Sequence, residues 1–542
     1  MVAAELEGAR PTLTRRPPWD PSRRARRLGL TGSLLMAIGA LGSGALPVPN
    51  PLFGLRVLGL PARNATLAIA VTYAGIGLVV LAWLWVGKML RHRGAVAPAP
   101  NRAQLARTAI LWALPLAVAP PMFSRDVYSY LAQSAILARH LDPYVLGPAE
   151  ALGVDDPLTR SIPTIWRDTP APYGPLFLIL GRGITAISGN DVVLGVLEHR
   201  ALALCGVAMI VWALPRLAHR CALDPGLALW LGAANPLVLF HLISGIHNES
   251  LMIGLLLVGL ELGLRAGPRL LDRHLLGGTA LIVAASSVKL PALLALGFLG
   301  LEWARRRDGS VRDVASVAAV MAAITVAIYT PLSVGTGVGL GWTRTLDTPA
   351  LILSWMSAST DLGLIGGQVG ILGGLGDHTD TVLLLTRGVG FAGAAVLVTK
   401  LLLATLRGRI DAVTGVGAGL GAVVLLGPVV HPWYLLWAAI PLAATRGLPR
   451  YRRAALGASA VLAIVVPPTG ADFNFRAFQL PIAVAAALIM LFLVLWVQRQ
   501  QLAGQTGADV DALPGRTPQP EPPPFPEPVP GPPPPADPQD TA

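Results

Sequence analysis

The run Phe123-Ser124-Arg125-Asp126-Val127-Tyr128-Ser129-Tyr130 sets an acid among aromatics and cations directly after an apolar stretch. A carboxylate at a membrane boundary is costly to desolvate, which asks for a chemical role, and Asp126 reads as a catalytic base. Other polar groups recur at the ends of later apolar runs: His247-Asn248-Glu249, Lys289 before Pro291, His431-Pro432-Trp433-Tyr434, and Arg476. A base, cations and aromatic rings suit sugar transfer from a lipid-linked phosphate. The base takes a proton from an acceptor hydroxyl, a cation neutralises the leaving phosphate, and rings pack on sugar and lipid. On this reading Arg125, Lys289, Arg476, His431, Trp433 and Tyr434 are candidates for donor phosphate or sugar. Tyr128, Tyr130, Tyr173, His247, Asn248 and Glu249 are candidates for acceptor or sugar contact. No convincing Gly-rich phosphate cradle accompanies them.

Each residue also has a simpler reading. Asp126 fits a helix cap or a partner of Arg125, and His247 and Glu249 fit metal ligands or polar caps of a turn. Lys289 fits a snorkelling lysine, and His431-Pro432-Trp433-Tyr434 an interfacial aromatic belt. Asp142-Pro143-Tyr144 and Tyr173-Gly174-Pro175 read as loop-shaping motifs.

The elements that must position these groups are membrane helices. The chain is 53% hydrophobic and 13% charged, with mean hydropathy +0.60, and apolar runs of spanning length recur along it. Backbone groups in lipid must be satisfied internally, which leaves helices as the spanning element and an all-α, polytopic fold class. About fourteen spans (twelve to fourteen) are expected, near 29–47, 65–87, 107–122, 192–215, 226–243, 249–265, 275–289, 290–304, 313–332, 381–406, 411–429, 433–446, 454–468 and 477–497. Two further apolar stretches, 173–188 and 350–375, are expected to be interfacial or re-entrant.

The net charge of +12 could suggest nucleic acid in a soluble protein. Here the basic residues gather in short loops, where they report orientation. Arg10, Arg15, Arg16, Arg23, Arg24, Arg26 and Arg27 favour a cytoplasmic N-terminus, and the later basic clusters fall on the same side when spans are counted alternately. The acid-bearing segments then share the outer face, where 123–191 forms a large first loop. Residues 1–28 read as a basic cytoplasmic arm, 29–498 as the transmembrane catalytic domain, and 499–542 as a disordered Pro-rich cytoplasmic tail that either docks an unknown partner or is simply solvated. The first apolar run lacks a clear cleavage context and is expected to remain as a span. Cys205 and Cys221 are too few for a disulfide framework.

The acid at the head of the first outer loop, followed by Asp142-Pro143-Tyr144 and Tyr173-Gly174-Pro175-Leu176, resembles the GT-C superfamily of polyprenol-phosphate-sugar-dependent glycosyltransferases. Ser124-Arg125-Asp126-Val127-Tyr128-Ser129-Tyr130, His247-Asn248-Glu249, Val288-Lys289-Leu290-Pro291 and His431-Pro432-Trp433-Tyr434 are similar to motifs of the actinobacterial MptB-type α-1,6-mannosyltransferases. The resemblance covers roughly residues 30–495. It implies polyprenyl-phosphomannose as donor, a lipid-linked mannan as acceptor, inversion at the transferred sugar, an active site facing away from the cytoplasm, and a role in the mannan backbone of lipomannan and lipoarabinomannan. It carries the acidic catalytic role onto Asp126. Many superfamily members have a paired acidic motif here, whereas this chain has Arg125, so metal-independent transfer without a cofactor is expected. The choice of mannose over another lipid-linked sugar rests on the resemblance alone. A transporter or flippase of lipid-linked saccharides is the alternative class, though the chain shows no clear internal repeat.

Overall fold

The computed structural model describes residues 21–91, 99–346, 348, 352–354, 356–446, 449–470 and 481–492. Among them every regular element is helical and none is a strand, as the apolar periodicity predicts. The helices are α1 (Pro21–Ser43), α2 (Ala65–Arg91), α3 (Arg102–Val118), α4 (Asp126–Ala138), α5 (Pro175–Ser188), α6 (Val192–Arg220), α7 (Glu249–Gly263), α8 (Arg273–Ser286), α9 (Leu294–Arg306), α10 (Val311–Thr336), α11 (Ala358–Leu372), α12 (Thr379–Leu406), α13 (Ala412–Leu426), α14 (Leu436–Ala443), α15 (Pro449–Val465) and α16 (Pro481–Phe492). Short helical turns, Pro148–Leu152, Pro157–Ser161 and Thr164–Arg167, occupy the large loop after α4.

A helix or a broken helix stands at the place of each expected span, but spanning length is rarer. Among the described residues α2, α6, α10 and α12 are, by length and composition, long and apolar enough to cross a membrane. A fifth is added if Pro225–Ala233 and Val238–Ser244, bent by 59°, form one span. Most helices at the other expected spans are shorter, as α7 with 15 residues, α8 with 14 and α9 with 13 are, and 226–243 is interrupted by a backbone break. At Asn235-Pro236 the missing proline N–H interrupts the ladder, and the Asn235 amide donates to Leu231 O at 3.0 Å and to Ser459 Oγ at 2.8 Å while its oxygen accepts from the Leu237 N–H at 2.9 Å. The chain on either side is wound as π-helix, a form that often marks functional sites.

One boundary shifts. α1 starts at Pro21, so the last part of the expected basic arm is helical; arginine is a good helix former and proline is tolerated in a first turn. The stretches 173–188 and 350–375 contain α5 and α11. The inner face of α5 is packed: Leu178 joins Leu137, Tyr144 and Ala171 in a buried cluster. Residues 1–20 and the Pro-rich tail lie outside the described residues.

Close helix contacts set the frame of the polar segments. A Cβ on Gly206 of α6 would lie 2.3 Å from the Ser250 carbonyl carbon, and one on Gly254 of α7 would lie 2.5 Å from Gly206 O. Only glycine at both positions lets α6 and α7 approach this closely, as small residues do between membrane helices. The basic clusters meet at the C-terminal end of these two helices. Glu261, 3% exposed, takes Arg220 and Arg265, and Leu264 O accepts from Arg306 at 2.8 Å. Glu249 begins the same helix, about 18 Å away at 1.5 Å per residue. Arg220, Arg265 and Arg306 thus gather at one end of α7 and the His247-Asn248-Glu249 motif lies at the other.

Candidate active site

The segment leading into α4 is held by backbone carbonyls that find buried donors. Arg200 of α6, 1% exposed, donates to Ala117 O at 3.2 Å, to Ala119 O, and to Ser244 O at 3.4 Å. It thereby satisfies carbonyls left open at the end of α3. The Phe123 N–H donates to Pro468 O at 2.9 Å and the Met122 N–H to Ser244 O at 3.3 Å. Phe123 (φ 67°) and Ile246 (φ 58°) are non-glycine residues in the left-handed region. Each such conformation costs about 1–3 kcal/mol and persists where the surroundings impose it. They precede Asp126 and His247 respectively, so the strain sits at the entry to both motifs.

Asp126 is the first residue of α4, where its N–H donates to Ser124 Oγ at 3.0 Å. A helix N-terminus favours a carboxylate. Its side chain is 15% exposed, and Oδ2 stands 3.4 Å from Nδ1 of the fully buried His247, an ion-pair distance longer than a formed hydrogen bond. Burial pushes the Asp126 carboxyl up, but the His247 contact and the Lys289 charge outweigh it and hold the group below its ordinary value. Asp126 therefore stays ionised, as a base must.

Trp433 lies between two imidazoles. Its ring stacks on His247 at 3.9 Å and on His431 at 4.6 Å, and His241 packs 5.6 Å away. Burial pushes His431 down to about 4, so at neutral pH it offers a neutral N–H rather than a cation. Lys289 pairs with Glu249, donates to Tyr434 Oη at 3.3 Å, and lies 4.4 Å above the Tyr434 ring. Tyr130 meets Tyr173 edge-on at 5.1 Å and Phe177 at 5.0 Å. The start of α5 is tied to the Lys289 turn by the N–H groups of Gly174 and Leu176, which donate to Val288 O and Ser287 O, both at 3.1 Å. A Cβ on Gly174 would lie 2.3 Å from Ser287 O, so this docking requires glycine.

These groups border a cavity of ≈ 620 Å³. Asp126, Tyr130, Tyr173, Lys289, His431, Trp433 and Tyr434 line it, and its remaining wall is largely apolar, including Leu293, Ile352, Phe391 and Val424. Lys289 is the one lysine or arginine among the described residues lining it. The arrangement can deprotonate a hydroxyl at Asp126 and receive an anion at Lys289 within one chamber that also accepts an apolar chain.

Other expected contacts lie elsewhere. His247, Asn248 and Glu249 are buried behind the wall, at most 3% exposed, and do not line the cavity. Arg125 donates to Leu46 O and Ser161 O, both at 3.1 Å, and Tyr128 Oη donates to Ala45 O at 2.6 Å. Both neighbours of the acid thus serve the backbone, because successive residues at a helix start point to different sides. Arg476 lies outside the described residues. Among the described residues no group of three or more His, Cys, Asp or Glu side chains has the arrangement of a metal site.

Sequence reasoning passed over Trp166 and Trp437, which line the cavity, and His241. Trp437 follows Trp433 at helical spacing and His241 interrupts an apolar run, so both left a signal; Trp166 left none beyond its place in the loop.

Comparison with known proteins places this architecture among named sequences. Residues 26–305 match the family model described as alpha-(1->6)-mannopyranosyltransferase, N-terminal domain, and residues 359–496 match the MptB C-terminal domain. The chain is 46% identical to a probable alpha-(1->6)-mannopyranosyltransferase of Mycolicibacterium smegmatis over 92% of each chain. It is 45% identical to an alpha-(1->6)-mannopyranosyltransferase of Mycobacterium tuberculosis over 87% of each chain. Against alpha-(1->6)-mannopyranosyltransferase B of Corynebacterium glutamicum it is 38% identical over 91% of this chain and 84% of that one. No solved structure matches.

Proposed function

The chain belongs to the alpha-(1->6)-mannopyranosyltransferase family, and from that membership we propose that it is a membrane enzyme transferring mannose from polyprenyl-phosphomannose to a lipid-linked mannan with inversion. The product is an α-1,6 linkage of the lipomannan and lipoarabinomannan backbone, formed on the face of the cell membrane away from the cytoplasm. The observation that carries this reading is one cavity lined by both Asp126 and Lys289, by the aromatic side chains of Tyr130, Tyr173, Trp433 and Tyr434, and by apolar side chains.

Asp126 accepts the proton of the acceptor 6-hydroxyl as that oxygen attacks the anomeric carbon from the side opposite the phosphate. The bond from the anomeric carbon to the phosphate oxygen breaks, and the phosphate departs on its lipid with one more negative charge. Lys289 and the Tyr434 hydroxyl meet that developing charge, which is worth most in a site that excludes water. Tyr130 and Tyr173 offer rings to the sugars, Trp433, whose ring is stacked on His247 and His431, contributes its edge to the same wall, and the apolar wall receives the isoprenoid. The 620 Å³ volume suits a sugar phosphate with the first part of its lipid.

The test is purified protein in lipid, offered several polyprenyl-phosphate sugars and a short α-1,6-mannan acceptor, with the product linkage determined. Mannose incorporation in α-1,6 linkage supports the reading. Transfer of a different sugar in preference, or movement of the lipid-linked sugar across the bilayer without transfer, would refute it.

A further inference from the structure

Resting on the reading of Lys289 as the donor-phosphate contact, we propose that Glu249 is a positioning residue that keeps the Lys289 ammonium charged and fixed in the cavity wall. Glu249 itself is out of reach of substrate: it is fully buried at the first position of α7 and does not line the cavity. The Lys289 side chain, 12% exposed, passes between that carboxylate and the chamber.

An ammonium has three N–H donors. One goes to Glu249 Oε1 and one to Tyr434 Oη, which leaves a third for a phosphate oxygen. The Trp437 ring centroid, 5.5 Å from Nζ, completes an aromatic enclosure that water solvates poorly. In such surroundings a lysine without a counter-charge favours its neutral form, because desolvation penalises the cation. A neutral amine cannot offset the charge that develops on a leaving phosphate.

Four ionisable groups from three elements face Nζ: Glu249 from α7, Tyr434 and His431 from the turn before α14, and Asp126 from α4. Of the two carboxylates, Glu249 is the one in contact. Its second oxygen stands 3.9 Å from His247 Nδ1, the nitrogen that faces Asp126 at 3.4 Å. One three-residue turn therefore reaches both the base and the cation, and the close packing of Gly206 against Gly254 fixes that turn relative to α6.

The experiment measures the KM for polyprenyl-phosphomannose against pH, with an α-1,6-mannobiose acceptor and purified protein in lipid. For the wild type KM stays within about twofold from pH 7 to 9, whereas for Glu249→Gln it climbs roughly fivefold or more as Lys289 loses its proton. Glu249→Gln combined with Lys289→Arg returns to a flat profile, because arginine stays protonated throughout. A flat profile for Glu249→Gln alone overturns the proposal. Should that variant fail to fold, Glu249→Asp decides: its carboxylate is retracted by one methylene, and the KM climbs from a higher pH, a flat profile again being fatal. Lys289→Ala separates the two levels. If it leaves donor KM unchanged, the phosphate contact itself is wrong and both readings fall; if it weakens the donor while Glu249→Gln stays flat, only the role of Glu249 falls.

Discussion

Replacing Asp126 with asparagine keeps the shape of the side chain and removes its basicity. The surroundings decide how much that should cost. The carboxylate is 85% covered by the complement of its 15% exposure, so bulk water has little room to take over as base. Its neighbours are His247, whose buried ring lies behind it, and Lys289, which is committed to Glu249. Neither stands in as a base toward a hydroxyl in the cavity. The full contribution of general base catalysis should therefore be lost, about 10²–10⁴-fold in kcat, or about 3–5 kcal/mol in the barrier. Donor KM should change little, since the phosphate contact is elsewhere. The assay is the initial rate of mannose transfer by purified, lipid-embedded protein, with folding checked by thermal melting in the same preparation. A folded Asp126→Asn protein keeping more than about a tenth of the wild-type rate would refute the base assignment.

Four more outcomes can be checked. Because Asp126 lies below its ordinary carboxyl value of 3.8, its charge stabilises the fold above that pH and the contribution is lost only as acid carries the pH through the lower, folded value; melting temperature at pH 5 and 7 should carry no step from this group, and a step that Asp126→Asn abolishes would contradict the shift. His247→Leu removes the nitrogen facing Asp126 and should lower kcat by about tenfold or more, while His247→Asn, which keeps a donor near the Nδ1 position, should recover most of it; equal losses in the two variants would show that only the stacking on Trp433 matters. Arg200→Ala strips donors from three carbonyls, those of Ala119 and Ser244 buried and that of Ala117 half-buried, and should destabilise the protein by about 3 kcal/mol, read as a lowered melting temperature, with unchanged stability refuting the anchor. Gly174→Ala places a Cβ 2.3 Å from Ser287 O; it should cost about 1–3 kcal/mol and raise donor KM by moving the Lys289 turn, and a silent substitution would show that the contact is slack.

Much of the helix plan was legible in the residues. Apolar runs and charge clusters act locally, so the segments 65–87, 192–215, 313–332 and 381–406 could be placed without knowledge of their neighbours, and they are α2, α6, α10 and α12. Breaks inside apolar runs were harder to see. At the Asn235-Pro236 bend the asparagine amide is received by Ser459 of a distant helix, a partner that no local pattern names. The segment 350–375 gave no hint that Ser354, Ser357, Ser359 and Thr360 place their hydroxyls on carbonyls between Gly427 and Val430.

The candidate site shows the same division. Composition and order sufficed for the class of the protein, for the motifs at helix ends, and for naming Asp126 as the acid and Lys289, beside Arg125 and Arg476, as one of three cations to watch, since an ionisable group at a membrane boundary is conspicuous wherever it occurs. Which residues of each motif face the chamber was decided by tertiary structure. Arg125 and Tyr128 flank the acid in sequence yet turn to the carbonyls of Leu46, Ser161 and Ala45. His247 and Glu249 share a motif that reads as substrate contact yet lie behind the wall, one against Asp126 and the other against Lys289. The direction of a side chain follows from the rotation of its helix and from the partners that helix meets across the fold, and neither is a property of neighbouring residues in the chain.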